Sequence, residues 1–392
     1  MTNEMIIRAS KEYQTPAYIF DIDMLKERLA MIQATLGDDI ILCYAMKANP
    51  FLLGAMNDMV TRFEVCSPGE FRICERNNID MKRIVLSGVN KEEAEIIRIV
   101  RTYGNDIIYT VESLEHLRIL DACATARQLK LTILLRVTSG NQFGVSTDCI
   151  EEIIKNRNNY PFLDFHGLQF YSGTQKKGLG KINEELHTLD EFCTRLSKQY
   201  DFTVKELEYG PGFYVPYFAN EEDIDDVALL MDFRQTLDSL NFSGQVTLEM
   251  GRFMVAYCGY FMTSIVDYKE NNGQAYCIID GGIHHLNYYG QTMAMKLPHF
   301  SKFPDSPSAK AKPYTICGSL CTTADVLVKQ LPLKNIQIYD ILVFKRLGAY
   351  SVTEGIYLFL SRDLPQIIFF SEAAGFQLMR SNLPTDILNN PN

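Results

Sequence analysis

The stretch Ile40-Ile41-Leu42-Cys43-Tyr44-Ala45-Met46-Lys47-Ala48-Asn49-Pro50 decides how the rest of the chain reads. Its apolar run has the composition of a buried β-strand, and it closes on one lysine before a proline ends the element. A strand that ends this way aims an amine at the mouth of a fold. Burial disfavours the charged amine, so Lys47 is expected to have a lowered pKa and to be able to hold an aldehyde as a Schiff base. On this fragment alone, a lysine snorkelling from a strand end is the simpler reading. The surrounding chain reverses that preference.

Working outward, short β-branched runs alternate with amphipathic stretches from about residue 40 to 250. The runs read as strands are 41–46, 63–66, 83–87, 107–110, 131–137, 165–170, 205–209 and 245–250. Helices are expected over 91–103, 113–129, 183–199 and 222–240, with Ser113 as an N-cap and Glu92, Glu93 and Glu95 favouring a helix start. Eight strands, each followed by a helix or loop, predict a closed (β/α)8 barrel, a TIM barrel, over residues 16–254. An open doubly wound sheet would carry a glycine-rich turn after its first strand, where this chain has Lys47-Ala48-Asn49-Pro50. From residue 255 to 392 the runs are short, β-rich and separated by turn signals such as Asn272-Gly273, which predicts a mainly antiparallel β domain. Runs 260–268, 275–279, 338–344 and 355–360 are its expected strands, and 301–312 an expected loop. Residues 1–15 are expected to add a strand to that domain.

Composition narrows the partners. The 392 residues are 47% hydrophobic and carry a net charge of -10 without a long basic run, which argues against nucleic acid or an anionic membrane. The first residues lack signal-peptide architecture, and no apolar stretch reaches about 18 residues. Ten cysteines are scattered with no zinc spacing and read as reduced. A cytoplasmic globular protein is expected.

In such barrels the working residues sit at the C-terminal ends of strands. Those ends carry Lys47, Glu64, Ser87-Gly88, Arg136, Tyr171-Ser172-Gly173-Thr174, Gly210-Pro211-Gly212 and Glu249-Met250-Gly251-Arg252. The set suits pyridoxal 5'-phosphate. Gly210 and Gly212 allow backbone N–H groups to approach a phosphate, with Thr174 and Arg252 as further donors. Glu249 can keep a pyridine nitrogen protonated, so that the ring accepts electrons.

The chain resembles the fold-type III pyridoxal phosphate decarboxylases, the diaminopimelate, ornithine and arginine decarboxylases, whose architecture is alanine racemase-like. The resemblance rests on Thr15-Pro16-Ala17-Tyr18-Ile19-Phe20-Asp21, Tyr44–Asn49, Ser67-Pro68-Gly69-Glu70, Gly210–Gly212, Glu249–Arg252, Asp280-Gly281-Gly282, Cys321-Thr322-Thr323-Ala324-Asp325 and Gly348-Ala349-Tyr350, in family order. It implies that Lys47 is the Schiff-base lysine and that Glu249 pairs with the pyridine nitrogen. It also implies that Arg252, Thr174, the glycine turn and Tyr350 hold the phosphate. Glu64, Arg136 and Tyr171 complete the cofactor site. Cys321 corresponds to a cysteine supplied across a homodimer with shared active sites, where it helps return a proton after carbon dioxide leaves.

The departures bear on substrate. Tyr171 stands where the family places a ring-stacking histidine, Pro211 replaces a glycine, Glu64 replaces aspartate and Met250 replaces proline. Thr322 stands where diaminopimelate and ornithine decarboxylases carry an acid that reads the distal ammonium. Diaminopimelate decarboxylases also have an Arg-Pro after the Asp-x-Gly turn, where this chain has Ile283-His284-His285. Each missing charge-assisted contact would cost a free diamino acid roughly 1.5–3 kcal/mol. The 280–285 run, Cys321–Asp325 and Phe359-Leu360-Ser361 resemble the butirosin-pathway glutamyl-carrier-protein decarboxylase branch, in which the amino acid is tethered through its side chain. The expected function is α-decarboxylation of a distally conjugated or carrier-tethered amino acid, with Thr322, His284 and His285 on the substrate side. Adjacent strand residues point to opposite faces, so the histidine pair is not expected to bind metal. The alternatives are decarboxylation of a free amino acid such as diaminopimelate or ornithine, an alanine-racemase-type racemase, and a non-catalytic regulator.

Overall fold

The computed structural model describes residues 1–391, which form two compact units. One holds Arg28–Val215 and Ile224–Met254; the other holds Met1–Glu27, Pro216–Asp223 and the chain from Val255 onward. The expected strand within residues 1–15 is instead a helix, α1 (Asn3–Glu12). Thr2 caps it by accepting from the Met5 N–H at 3.3 Å, and Ile6 and Ala9 bury one face. The strand that joins the β-rich unit follows it as β1 (Ala17–Asp21), ahead of α2 (Ile22–Leu36).

The barrel strands are β2 (Ile41–Ala45), β3 (Arg62–Val65), β4 (Ile84–Leu86), β5 (Ile108–Val111), β6 (Leu131–Val137), β7 (Leu163–Tyr171), β8 (Glu206–Gly210) and β9 (Gln245–Met250). Each pairs in parallel with the next, and β9 closes on β2 in a register running from Ile41 opposite Thr247 to Tyr44 opposite Met250. The eight expected strands are therefore present, in the expected closed order. The outer helices are α3 (Pro68–Arg76), α4 (Glu93–Tyr103), α5 (Leu114–Arg127), α6 (Thr147–Lys155), α7 (Gly180–Tyr200) and α8 (Asp226–Asp238). Ser113 caps α5 as expected, accepting from the His116 N–H at 3.1 Å. Cys43, Val85, Ile108 and Leu134 meet inside the barrel as an apolar cluster.

The second unit is built on a nine-stranded sheet. Besides β1 it contains β10 (Gly259–Asn271), β11 (Gln274–Ile279), β12 (Phe300–Phe303), β13 (Lys312–Cys317), β14 (Val326–Leu333), β15 (Ile341–Lys345), β16 (Gln366–Ser371) and β17 (Gly375–Arg380). Pairing is mostly antiparallel, with β1/β16 and β11/β13 parallel. β1 lies between β10 and β16 and is covered on both faces, Ala17 and Ile19 packing with Ile6 and Ala9 of α1, and Tyr18 and Phe20 with Phe261 and Phe369, so its five residues are all buried. Two expectations fail here. Residues 355–360 form turns and a short 3-10 segment, with Leu360 at φ 59° and its apolar neighbours exposed. The expected loop 301–312 begins inside β12, which pairs with β15. Among the described residues, no helix is long and apolar enough to cross a membrane.

Candidate active site

Strand β2 stops at Ala45, and Met46–Ala48 form one 3-10 turn whose outer two side chains are buried. Lys47 is thereby left to project, with its side chain 40% exposed. The turn is locked from behind: the Tyr44 hydroxyl donates to the Asn49 carbonyl at 3.0 Å, and Asn49 Oδ1 accepts from the Phe51 N–H at 3.1 Å. The end of β9 closes against it. A methyl group on Gly251 would come within 2.8 Å of Ala48 Cβ, so glycine is what permits this approach. Lys47 Nζ consequently lies 2.8 Å from Glu64 Oε2, 3.4 Å from Glu249 Oε1 and 4.0 Å from Cys66 Sγ.

The electrostatics correct one expectation. Burial does pull the Lys47 amine down, but the carboxylates of Glu64 and Glu249 lift it well above the ordinary lysine value. Between the two acids the outcome is asymmetric. Burial would raise Glu64, yet the Lys47 ammonium and hydrogen bonds from Glu249 and Lys47 hold it well below the usual carboxylate range. Glu249 is pushed up to about 7 by burial and by the Glu64 charge, against the pull of Lys47. The trio thus behaves as an ammonium, a carboxylate and a carboxyl group that exchanges its proton near neutrality.

Across the mouth, Arg136 Nη1 donates to Glu112 Oε2 at 3.1 Å and its guanidinium lies 4.8 Å from the centre of the Phe143 ring. Glu112 also faces Lys91, 3.8 Å away. Lys91 Nζ donates to the Gly88 carbonyl at 3.0 Å and to Thr110 Oγ1 at 3.2 Å, and burial lowers its pKa to about 8. Lys91 and Glu112 were not anticipated. Glu112 directly follows β5, the one barrel strand whose end the sequence reading left without a group.

The loops after β7 and β8 run together. The Lys176 N–H donates to the Gly212 carbonyl at 2.9 Å, Gln175 Nε2 donates to the Val215 carbonyl at 2.9 Å, and Gln175 Oε1 accepts from the Val215 N–H at 2.8 Å. Gly212 has φ 62°, and any Cβ there would collide with the Gly173 carbonyl. Tyr171 hydrogen-bonds Thr174 and feels the charges of Lys47, Glu249 and Arg252; burial raises its pKa. Lys47, Glu64, Arg136, Tyr171, Thr174, Gly210, Gly212, Glu249 and Arg252 therefore belong to one end of one barrel.

The remaining predicted residues lie in the β-rich unit. Cys321 and Thr322 are exposed in the loop between β13 and β14. Asp325 holds that loop, its carboxylate accepting from Leu320 N–H at 2.7 Å and from Ile283 N–H at 2.8 Å. Tyr350 is half-buried with φ 67°. His284 and His285 are 2% and 1% exposed, and they lie in a turn rather than a strand. Their rings therefore sit side by side, centroids 3.7 Å apart, instead of on opposite faces. Burial lowers both pKa values, that of His284 to about 4, so the pair is neutral near pH 7.

An amine held among acids at a barrel mouth and a glycine turn beside it make a specific pattern to compare. Residues 22–256, more than half the chain, match the family described as "Pyridoxal-dependent decarboxylase, pyridoxal binding domain". The chain belongs to the pyridoxal-dependent decarboxylases. This decarboxylase is 24% identical to the L-glutamyl-[BtrI acyl-carrier protein] decarboxylase of Niallia circulans, over 96% of this chain and 93% of that one. It is 26% identical to the 2-[(L-alanin-3-ylcarbamoyl)methyl]-2-hydroxybutanedioate decarboxylase of Staphylococcus aureus, over 91% and 94%. It is also 26% identical to the diaminopimelate decarboxylase of Campylobacter jejuni, over 87% of each. The solved diaminopimelate decarboxylase of Helicobacter pylori superposes with TM-score 0.86 at 22% identity, covering 98% of both chains. The decarboxylase thus shares that fold, and its cofactor is pyridoxal 5'-phosphate. The residues present fit it: an amine flanked by acids, a turn only glycine can make, and Arg252 as a cation suited to a dianion.

Proposed function

We propose that this decarboxylase removes the α-carboxyl group of an amino acid conjugated at its distal end, glutamyl-like or carrier-tethered, and works as a homodimer. The observation that carries the catalytic part is the Lys47 amine set 2.8 Å from Glu64 and 3.4 Å from Glu249. When bound, pyridoxal phosphate supplies an electron-poor ring that accepts the electron pair left as carbon dioxide departs. Once its proton has passed to a neighbouring acid, Lys47 Nζ would hold the cofactor's aldehyde carbon. Glu249, poised near neutrality, would keep a proton on the pyridine nitrogen, and Glu64 would balance the positive charge beside it. Tyr171 offers an aromatic face without the charge a histidine could add. Arg252, Thr174, Gly210 and Gly212 hold the phosphate, and Arg136 steadies the opposite side. Cys321 Sγ, from the partner protomer, returns a proton to the substrate carbon.

The substrate class rests on Thr322, which puts a neutral hydroxyl beside Cys321. Two relatives act on amino acids that, by their names, are carried on a larger group. His284 and His285 contribute a neutral, buried support to that side. The discriminating experiment is mass spectrometry of products from free glutamate, diaminopimelate, ornithine and lysine against side-chain amides and carrier thioesters of glutamate. Preferred loss of carbon dioxide from a conjugated form is expected; faster turnover of free diaminopimelate would sink the substrate reading. Lys47→Ala is expected to abolish carbon dioxide release and the visible absorption of bound cofactor, and turnover persisting in that variant would remove the lysine from its role.

A further inference from the structure

We propose that Glu185, on α7, is the positioning residue of the phosphate-holding loops, clamping the loop after β7 to the end of β8. The inference rests on the phosphate reading above and deepens it. Ser172 Oγ donates to Glu185 at 2.5 Å, Lys176 Nζ at 2.7 Å and the Tyr209 hydroxyl at 2.7 Å. Ser172 and Lys176 bracket Gly173-Thr174-Gln175, while Tyr209 immediately precedes Gly210. One carboxylate therefore fixes both sides of the turn from behind.

Two further features fit a clamp rather than a chance surface pair. The Lys176 and Glu185 side chains are only 6% and 10% exposed, so salt screens their attraction little. Lys176 also neutralises Glu185, so the clamp sets no net negative charge beside a bound anion. The backbone joins the two segments at the Tyr171/Gly210 end of the ladder and from the Lys176 N–H to Gly212, and the Gln175 amide adds bonds to Val215; Glu185 is the side-chain tie that holds Ser172, Lys176 and Tyr209 to one point on α7. Without it, the N–H groups of the turn lose the fixed aim on which anion binding at backbone donors depends.

The test compares two ligands of the cofactor-free protein, pyridoxal 5'-phosphate and pyridoxal, titrated by visible absorbance in the wild type and in Glu185→Ala. The clamp predicts that the variant's affinity for the phosphorylated ligand falls at least about tenfold while its affinity for pyridoxal changes less than about twofold. Tyr209→Phe removes one of the three bonds and is expected to shift the same ratio less; it carries the test if Glu185→Ala does not fold. Equal weakening toward both ligands would mark Glu185 as structural only and overturn the proposal. A wild type that favours the phosphorylated ligand, with variants that keep that preference, overturns the clamp alone. A wild type that binds both ligands equally overturns the phosphate reading itself.

Discussion

The barrel interior is divided between two kinds of wall. Cys43, Val85, Ile108 and Leu134, from β2, β4, β5 and β6, form an apolar plug. The neighbouring strands β7, β8 and β9 bury polar groups, Gln169, Glu206, Glu208 and Thr247, and Arg62 of β3 reaches in to Glu206. The same backbone geometry serves both, so the difference lies in what each wall must support. The apolar wall gains stability by leaving water, about 1.5–3 kcal/mol per large side chain. The polar wall must hydrogen-bond what it buries and does so in part, since Gln169 Oε1 and Glu208 Oε2 have no hydrogen-bond partner among the described residues. Thr247 Oγ1 donates to Glu206 at 2.6 Å, and Gln169 Nε2 donates to Glu208 at 2.6 Å and Ser87 at 3.1 Å. Burial and the charges of Glu249 and Glu206 raise the Glu208 pKa far above the usual range, which keeps it protonated. The polar wall thus lies close to Glu64 and Glu249, while burial and the Glu64 charge are what hold Glu249 away from ionisation.

The largest effect is expected where the polar wall is broken at one partner. Arg62→Ala leaves Glu206, 1% exposed, with an uncompensated charge, at a cost of about 3–5 kcal/mol. Leu134→Ala in the apolar wall is expected to cost about 3 kcal/mol by opening a cavity. The two losses differ in what repairs them. Glu206→Gln, which removes the stranded charge, restores part of the Arg62→Ala deficit but none of the Leu134→Ala deficit. Urea unfolding midpoints of the single and double variants separate the two, and an equal response of both variants to Glu206→Gln would refute the division.

That division also marks what the sequence could and could not disclose. The strand ends were legible because an apolar run that stops at a lysine, a glycine turn or Glu-x-Gly-Arg has few other uses at the mouth of a barrel. The polar wall was not. Glu206-Leu207-Glu208-Tyr209 alternates polar and apolar residues, which reads as a strand with one face in water. In a closed barrel the second face is the lumen, and nothing local distinguishes lumen from solvent. The N-terminal helix was missed for a related reason. Its buried face is only Ile6 and Ala9, too short a pattern to outweigh the strand at Ala17–Asp21 beside it. The histidine pair was misplaced because a turn, not a strand, sets the direction of neighbouring side chains.

A smaller effect is expected from the acids themselves. Glu249 has a folded pKa of about 7, above its unfolded value of 4.5, so the native state binds more protons than the unfolded state between those limits. Stability of the cofactor-free protein should therefore fall as pH rises through that window, by at most about 1.4 kcal/mol per pH unit. Glu64 acts in the opposite sense. Its folded pKa is depressed, so its contribution is present above about 4.5 and is lost as pH falls toward 2. Glu249→Gln should flatten the curve from pH 5 to 7 and leave the acid limb in place. A slope unchanged in that variant would show that the raised acid is another residue.

The smallest effect tests Lys91, a buried cation that shares Glu112 with Arg136. Lys91 is lowered to about 8 from 10.5, chiefly by burial, with Glu112 opposing. Between pH 8 and 10.5 the unfolded state binds the extra proton, so stability of the wild type should rise with pH across that range. Lys91→Met removes the titrating group and should remove the rise. Glu112 keeps its bond to Arg136 at 3.1 Å, so the variant is not left with an unpaired buried charge. The methionine stem fills most of the same volume, which holds the change near pH 7 to within about 1 kcal/mol. A loss several times larger would mean that Lys91, rather than Arg136, is the partner Glu112 depends on, and that the polar wall extends across the mouth.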